Sequence, residues 1–485
     1  VPGGCPELPE NVSARTSARV IWLSVAGAVG GFLFGFDSSV VNGAVDAMQE
    51  EFTLSSGVTG FLVAIALLGC AAGAYTAGKI ADRFGRLPAM KLGALLFIIS
   101  SLGTGLAFDV WDLALWRVIG GVGIGIASVI APAYISEISP RHVRGRLASM
   151  QQLAITTGIF AALLTDAILA DSAQGAGELF WLDLAAWRWM FIAGVIPALV
   201  YGWIAYTLPE SPRYLVLTGK IDEARRNFKR LGTTDADQQI QDSLEHDSAK
   251  QQSPSLRGPA FGLHSVVWIG IILSVLQQFV GINVIFYYST SLWRAVGFQE
   301  QDSFTISVVT AVVNVLVTVI AIVLVDRIGR RPILLAGSLG MGVYLGAMSL
   351  SFAFSTGTGT ETSLPGIWAP IALISSNIFV ISFGASWGPV VWVLLGEIFP
   401  SAIRARALGF AAAAQWIANF LVTLCFPAMA NSSLPLTYAT YAVFAAASYF
   451  FVKFRVPETK GMSLEQAETL FASRDAYRPL TEASR

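Results

Sequence analysis

Twelve apolar stretches follow one another along the 485 residues, at roughly 20–44, 58–81, 89–108, 111–135, 147–169, 187–208, 264–291, 303–325, 333–354, 367–394, 404–429 and 434–454. About 20 apolar residues carry a helix across the hydrocarbon of a bilayer, and in that medium the backbone satisfies its hydrogen bonds only in helices or a closed barrel. The pattern predicts an all-α polytopic membrane protein with twelve transmembrane helices. Only 13% of the residues are charged, against about a quarter in a soluble domain. The net charge of -1 gives no basic surplus for a nucleic-acid partner. Three cysteines, Cys5, Cys70 and Cys425, show neither a disulfide framework nor metal-ligand spacing, so no metal and no cofactor are expected.

The connections sort by charge. Those after the second, fourth, eighth and tenth spans carry Lys79, Arg83, Arg86 and Lys91; Arg141, Arg144 and Arg146; Arg327, Arg330 and Arg331; Arg404 and Arg406. The other side is acidic or neutral, and only Arg188 and Arg294 break that pattern. The positive-inside bias puts the basic loops and both termini in the cytoplasm. From Glu210 to about Arg257 the chain carries eight basic and eight acidic residues, which predicts a soluble insert with short amphipathic helices. The expected organisation is a cytoplasmic tail over 1–19, a six-helix half over 20–208, a cytoplasmic helical linker over 209–263, a second six-helix half over 264–454 and a cytoplasmic tail over 455–485.

The halves repeat one another. Asp82-Arg83-Phe84-Gly85-Arg86 returns as Asp326-Arg327-Ile328-Gly329-Arg330-Arg331, Glu137-Ile138-Ser139-Pro140 as Glu397-Ile398-Phe399-Pro400, and Pro209-Glu210-Ser211 as Pro457-Glu458-Thr459. Three motifs in one order at nearly one offset indicate two parallel halves, a transporter architecture whose site lies at mid-membrane between them. These charges read in two ways. They are a latch that holds the halves together on the inside and breaks when they rock, or they set topology and form surface pairs worth little. Recurrence in both halves favours the latch, built from Asp82, Arg83, Arg86, Glu137, Arg144, Glu210, Arg213, Asp326, Arg327, Arg330, Arg331, Glu397, Arg404 and Glu458.

Gly73-Ala74-Tyr75-Thr76-Ala77-Gly78-Lys79 imitates a phosphate-binding loop, but Ile80 stands where Ser or Thr must hold magnesium, and ATP as direct energy source is rejected. The spacings Gly27/Gly31/Gly35, Gly69/Gly73 and Gly121/Gly125 read as close helix packing. Asp37, deep in the first span, and Arg117, in the fourth, are charges that need a partner inside the membrane, and pairing would serve both. Such a pair is a proton-coupling device, because a proton on the carboxylate dissolves it, or else a purely structural bridge. Asp166, near the outer end of the fifth span, reads as an interfacial residue rather than a second proton site. Gln151, Gln152, Gln277, Gln278, Asn283, Asn314, Gln415 and Asn419 offer uncharged donors and acceptors suited to a neutral polyhydroxylated ligand, while Trp387, Trp392 and Trp416 offer flat apolar faces. For any single amide, interhelical hydrogen bonding is an equal alternative.

On the repeated charge motifs, Pro209-Glu210-Ser211-Pro212-Arg213, Gln277-Gln278-Phe279-Val280-Gly281-Ile282-Asn283 and Pro457-Glu458-Thr459-Lys460-Gly461, nearly the whole chain resembles the sugar porter family of the major facilitator superfamily, with bacterial xylose and glucose porters the nearest in pattern. The resemblance implies a monosaccharide transporter, proton-coupled or facilitative, working by alternating access. Gln152, Gln277, Gln278, Asn283, Asn314, Trp392 and Gln415 match family sugar-binding positions, with Trp416 and Asn419 as neighbours, and Asp37 matches the proton-coupling Asp of bacterial symporters. The first-half charge motif departs from the pattern by ending Arg86-Leu87, and Gly194 leaves no acidic group in the sixth span. The expected activity is proton–glucose symport in a bacterial plasma membrane by a monomer, with sugar, proton and membrane lipid as partners and no enzymatic function. An uncoupled uniporter and a xylose or myo-inositol symporter are the alternatives, and a non-transporting sensor is a more distant one.

Overall fold

The computed structural model describes residues 10–138, 144–230, 236–238, 240, 241, 262–356, 363–399 and 403–460, without the side chains of 10–27, 136, 144–149, 230, 326, 404 and 405. The first half contains α1 (Glu10–Glu51), α2 (Ser56–Phe84), α3 (Arg86–Gly105), α4 (Val110–Ile138), α5 (Arg144–Ala173), α6 (Ala186–Ala193) and α7 (Val195–Thr207). Two short helices follow, α8 (Pro212–Leu217) and α9 (Ile221–Arg230). The second half contains α10 (Ser265–Phe279), α11 (Ile282–Tyr287), α12 (Ser289–Ala295), α13 (Glu300–Ile328), α14 (Arg330–Ala353), α15 (Trp368–Gly384), α16 (Trp387–Ile398), α17 (Arg404–Ser432) and α18 (Leu434–Arg455). These helices supply 12 spans long and apolar enough to cross a membrane, from 20 to 31 residues, so even the shortest covers about 30 Å at 1.5 Å per residue. The fold is the twelve-helix major facilitator fold, six spans to each half.

Three spans are discontinuous. The sixth breaks at Gly194, the seventh at Gly281 and the tenth at Ala385 and Ser386, where Ser386 takes φ -132° and ψ -85°. Hydropathy alone predicts uninterrupted spans over 187–208, 264–291 and 367–394. At Gly281 the backbone adopts φ 78° and a Cβ would stand 2.7 Å from the Tyr441 ring, so glycine is needed twice over. Irregular backbone at membrane depth persists where protein buries it, and Val280 and Ser386 are both buried.

Close packing inside the first half runs through glycines. A Cβ on Gly69, Gly73, Gly121 or Gly125 would meet backbone carbonyls of the facing helix at 2.0–2.4 Å, which zips α2 to α4, and one on Gly35 would meet Ile155 O at 2.0 Å, which does the same for α1 and α5. Between the halves, α2 lies against α17, α5 against α13, and α1 against α11 and α12. In the insert, Pro212 starts α8 with the Ser211 hydroxyl accepting from Tyr214 N. Leu215, Val216, Ala224 and Phe228 then form a small separate core with Ala236 and Ile240.

Candidate functional site

At one end of the bundle, each half builds the same network from its copy of the repeated motifs. Gly85 (φ 107°) and Gly329 (φ 110°) turn the chain from one span into the next in a conformation that favours glycine. A carboxylate then caps the new helix. Glu210 accepts from Arg86 N at 3.1 Å and Leu87 N at 3.3 Å, and Glu458 accepts from Arg330 N and Arg331 N, both at 3.0 Å. The guanidinium of the same motif reaches sideways. Arg86 Nη2 donates to Glu137 Oε1 at 2.9 Å with Nε bound to both carboxylate oxygens, and Arg330 repeats this on Glu397 at 2.8 Å. Ser211 and Thr459 hydroxyls donate to those two carboxylates. The hydroxyls were not singled out from the sequence, although their place inside a repeated motif was the signal.

In this structure, whose opposite end is closed, these ion pairs lie within a half rather than across the two. The reason is geometric: the turn at Gly85 or Gly329 sets the guanidinium beside the end of α4 or α16 of its own half. Asp82 adds an exposed pair to Arg86 at 3.3 Å. Arg83 is exposed and lies against Phe84, Arg213 is half-buried and Arg327 is exposed, and Arg331 donates to Lys453 O at 2.8 Å. The side chains of Arg144, Asp326 and Arg404 lie outside the described residues.

Burial by itself would raise the Glu458 carboxyl, but the amides of Lys460, Arg330, Arg331 and Thr459 outweigh it and hold the group below the usual glutamate range. A depressed folded value means stabilisation that is complete above the unfolded value, about 4.3, and is lost as pH falls through the folded one. Glu458→Gln is therefore expected to lower the melting temperature at pH 7, with the difference from the parent beginning to shrink below pH of about 4.3 and vanishing only once the depressed folded-state carboxyl is itself protonated.

At the centre, the two expected partners meet. Arg117 Nη1 donates to both Asp37 oxygens at 3.2 Å, and the residues are 4% and 6% exposed. Phe191 lies under the guanidinium, 5.6 Å from ring centre to Cζ. Asp37 and Arg117 line a cavity of about 10 Å³ with Phe34, Ser38, Cys70 and, from the opposite half, Tyr287, which is the lower limit for a single water. Tyr287 receives a long hydrogen bond, 3.5 Å, from Asn419 Nδ2, and Trp416 packs edge-on against Phe34 at 5.4 Å. The carboxylate of the first half thus shares its cavity with Tyr287 of the second, behind which Asn419 bonds Tyr287 and Trp416 packs on Phe34. Tyr287 and Phe34 escaped the sequence reading because nothing marks one aromatic residue among so many.

The amides divide by partner. Gln277 Nε2 donates to Trp387 O at 2.7 Å, Asn283 donates to Gln278 Oε1 at 2.6 Å, and Thr423 donates to Asn419. The side-chain oxygens of Gln151, Gln277 and Gln415 are buried with no protein partner. Gln152 is half-buried, and Asn314 is buried with its oxygen toward Gly384. Trp392 is 41% exposed, whereas Trp387 is fully buried. Its Nε1 donates to Leu334 O and Ser338 Oγ of α14, so Trp387 is corrected from a sugar-facing surface to a packing residue of the second half.

At the end opposite the charge motifs the halves are clasped. Thr290 donates to Asn42 through N at 3.1 Å and through its hydroxyl at 2.5 Å, Asp46 takes Ser291 Oγ at 2.6 Å and Arg294 Nη1 at 2.9 Å, and Glu300 accepts from Ala176 N at 2.9 Å. Arg188 and Arg294, the two exceptions to the charge asymmetry, are both paired there, with Glu51 and Asp46. Arg294→Gln is expected to open this end several-fold more often, since a half-exposed pair is worth about 0.2–1 kcal/mol. Proteolytic or thiol-reagent access to this end, raised at low salt and converging with the parent at high salt, checks it.

Comparison with known proteins agrees with this architecture. Residues 23–471 match the family model described as "Sugar (and other) transporter". The chain is 51% identical over 468 residues to a glucose transport protein of Synechocystis sp., covering 94% of this chain and 99% of that one. It is 36% identical to a D-xylose-proton symporter of Escherichia coli, covering 94% and 96%. The solved inward-open xylose transporter XylE from E. coli superposes with a TM-score of 0.79 at 35% identity, over 93% of this chain and 99% of that one.

Proposed function

The chain belongs to the sugar transporter family, and from that premise we propose that it is a proton-coupled monosaccharide symporter, with D-glucose as its first substrate, working by alternating access. One observation supports this most: the buried Asp37–Arg117 pair shares its cavity with Tyr287 of the opposite half. A proton arriving on Asp37 dissolves its pairing with Arg117, and a change at that point is felt directly across the seam between the halves. Gln151, Gln277 and Gln415 each hold a buried acceptor that a sugar hydroxyl would satisfy. Gln152, Gln278, Asn283, Asn314, Trp392, Trp416 and Asn419 complete the sugar site in this reading.

The halves, 20–208 and 264–454, rock as units about that site. The networks around Arg86 and Arg330 stiffen each half, because the Arg86–Glu137 and Arg330–Glu397 pairs each lie inside one half. By the positive-inside bias the motif end, the linker over 209–263 and both termini face the cytoplasm of a bacterium, and a monomer suffices because one chain supplies the whole site.

The test is uptake of radiolabelled glucose by proteoliposomes, with and without an inward proton gradient, challenged by excess xylose or myo-inositol. Accumulation above equilibrium that needs the gradient supports symport. Equilibration indifferent to the gradient makes the protein a uniporter. Xylose is the second substrate reading, favoured by similarity to the E. coli symporter, and stronger competition by xylose than by unlabelled glucose would move it to first place.

A further inference from the structure

Asp166 on α5 is fully buried, which overturns its reading as an interfacial residue. Its Oδ2 accepts one hydrogen bond, from Gly43 N of α1 at 3.2 Å. Its Oδ1 has no partner. The α1–α5 seam is so tight here that a Cβ on Gly43 would lie 2.7 Å from Asp166 Cγ, so water does not separate the helices. Two donors of the same stretch of α1, Ser39 Oγ and Asn42 Nδ2, are also buried without partners, so neither serves the carboxyl.

Among the described residues, no charged group answers Asp166 from the helices packed on α5, which are α1, α4, α6 and α13. On α1, Asp37, Asp46 and Glu51 are engaged with Arg117, Arg294 and Arg188, and Glu50 lies toward Arg294. On α4, Arg117 is the partner of Asp37 and Asp112 accepts from Phe108 N. On α6, Arg188 belongs to Glu51. On α13, Glu300 holds Ala176 N and Asp302 is exposed, and Asp171 of α5 itself is occupied by Gln301. An ionised carboxylate with one amide donor and no cation is costly in such a place, whereas a neutral acid is not.

We propose that Asp166 is a second proton-binding site, its carboxyl carrying a proton on Oδ1 while the end of the bundle where Asp46 meets Arg294 is closed. The coupling is short. Gly43, which holds the carboxyl, follows Asn42, which holds Thr290 of the other half, and α5 itself packs on α13 across the seam. Opening that end draws α1 and α5 away from α12 and α13 and admits water to the acid, so low pH favours the closed arrangement and high pH the open one. This deepens the symport reading and rests on it only for the motion, not for the proton.

The test is the infrared carbonyl band of protonated carboxylic acid, recorded on the full chain in lipid at neutral pH. A component that Asp166→Asn removes and Asp37→Asn leaves is expected, and Asp166→Glu should shift that component without removing it. A spectrum in which Asp166→Asn alters only the carboxylate bands, or Asp166→Glu shifts nothing in the acid region, overturns the proposal. Should Asp166→Asn fail to fold, the Asp166→Glu shift decides. Glucose exchange in the parent should fall at alkaline pH, and in Asp166→Asn that limb should flatten; an unchanged limb overturns the coupling to closure. The band is read without transport, so an absent band with intact uptake sinks this proposal alone, and absent uptake with the band present sinks the symport reading alone.

Discussion

In proteoliposomes carrying Asp37→Asn, an inward proton gradient is expected no longer to drive glucose above equilibrium, while exchange between sugar on the two sides should continue. The substitution keeps the shape of the side chain and removes its ability to gain and lose a proton. It also leaves Arg117 buried and uncompensated, in a protein where that guanidinium is 4% exposed. Breaking a buried pair from one side costs about 3–5 kcal/mol, so the single variant should melt well below the parent. Adding Arg117→Gln removes the orphaned charge and should restore much of the stability without restoring accumulation. That separation distinguishes a coupling role from a structural bridge: if the double variant regains gradient-driven uptake, or if Asp37→Asn never loses it, Asp37 is there for packing.

The other large effect is on the scaffold that holds this pair. Gly121→Ala should destabilise the protein by more than the ~1–3 kcal/mol of ordinary overpacking, because the new Cβ would stand 2.0 Å from Ala66 O, a backbone atom that no rotamer change can move aside. Helix α2 has to back away from α4. Cys70 of α2 and Arg117 of α4 both line the Asp37 cavity, so the displacement reaches the proton site as well as the fold. Gly346→Ala is the control: nothing lies within 4 Å of its Cβ, and the gain in helix propensity, about 1 kcal/mol, should leave it neutral or slightly stabilised. Thermal melting and the yield of monodisperse protein for the two variants make the comparison. Equal behaviour would mean that the α2–α4 seam is plastic.

Much of this molecule can be read without coordinates because lipid allows so few solutions. A chain with apolar runs of this length has to form spanning helices, and a motif that returns in order has to return in the fold. What the repeat left open was the direction of each charged side chain. Arg86 is as able to reach across the bundle as to reach Glu137, and only the φ of Gly85 and the end of α4 decide for the latter. Trp387 and Trp392 illustrate the same limit: they lie five residues apart in one apolar segment, yet one is buried against α14 and the other is 41% exposed.

The number of spans, the two-fold internal repeat, the charge asymmetry and the need of Asp37 for a cationic partner all follow from residue type and spacing, since each reflects the cost of placing backbone or charge in hydrocarbon. Three-dimensional packing settled the rest. It broke the seventh span at Gly281, kept the Arg86 and Arg330 networks inside their own halves, put the clasp between halves at Asp46 and Arg294, and sank Asp166 into a tight seam that its place near a helix end had concealed. The reason is that hydropathy records how a residue fares against lipid or water, while burial between two helices depends on which faces they turn to one another, and that is a property of the pair.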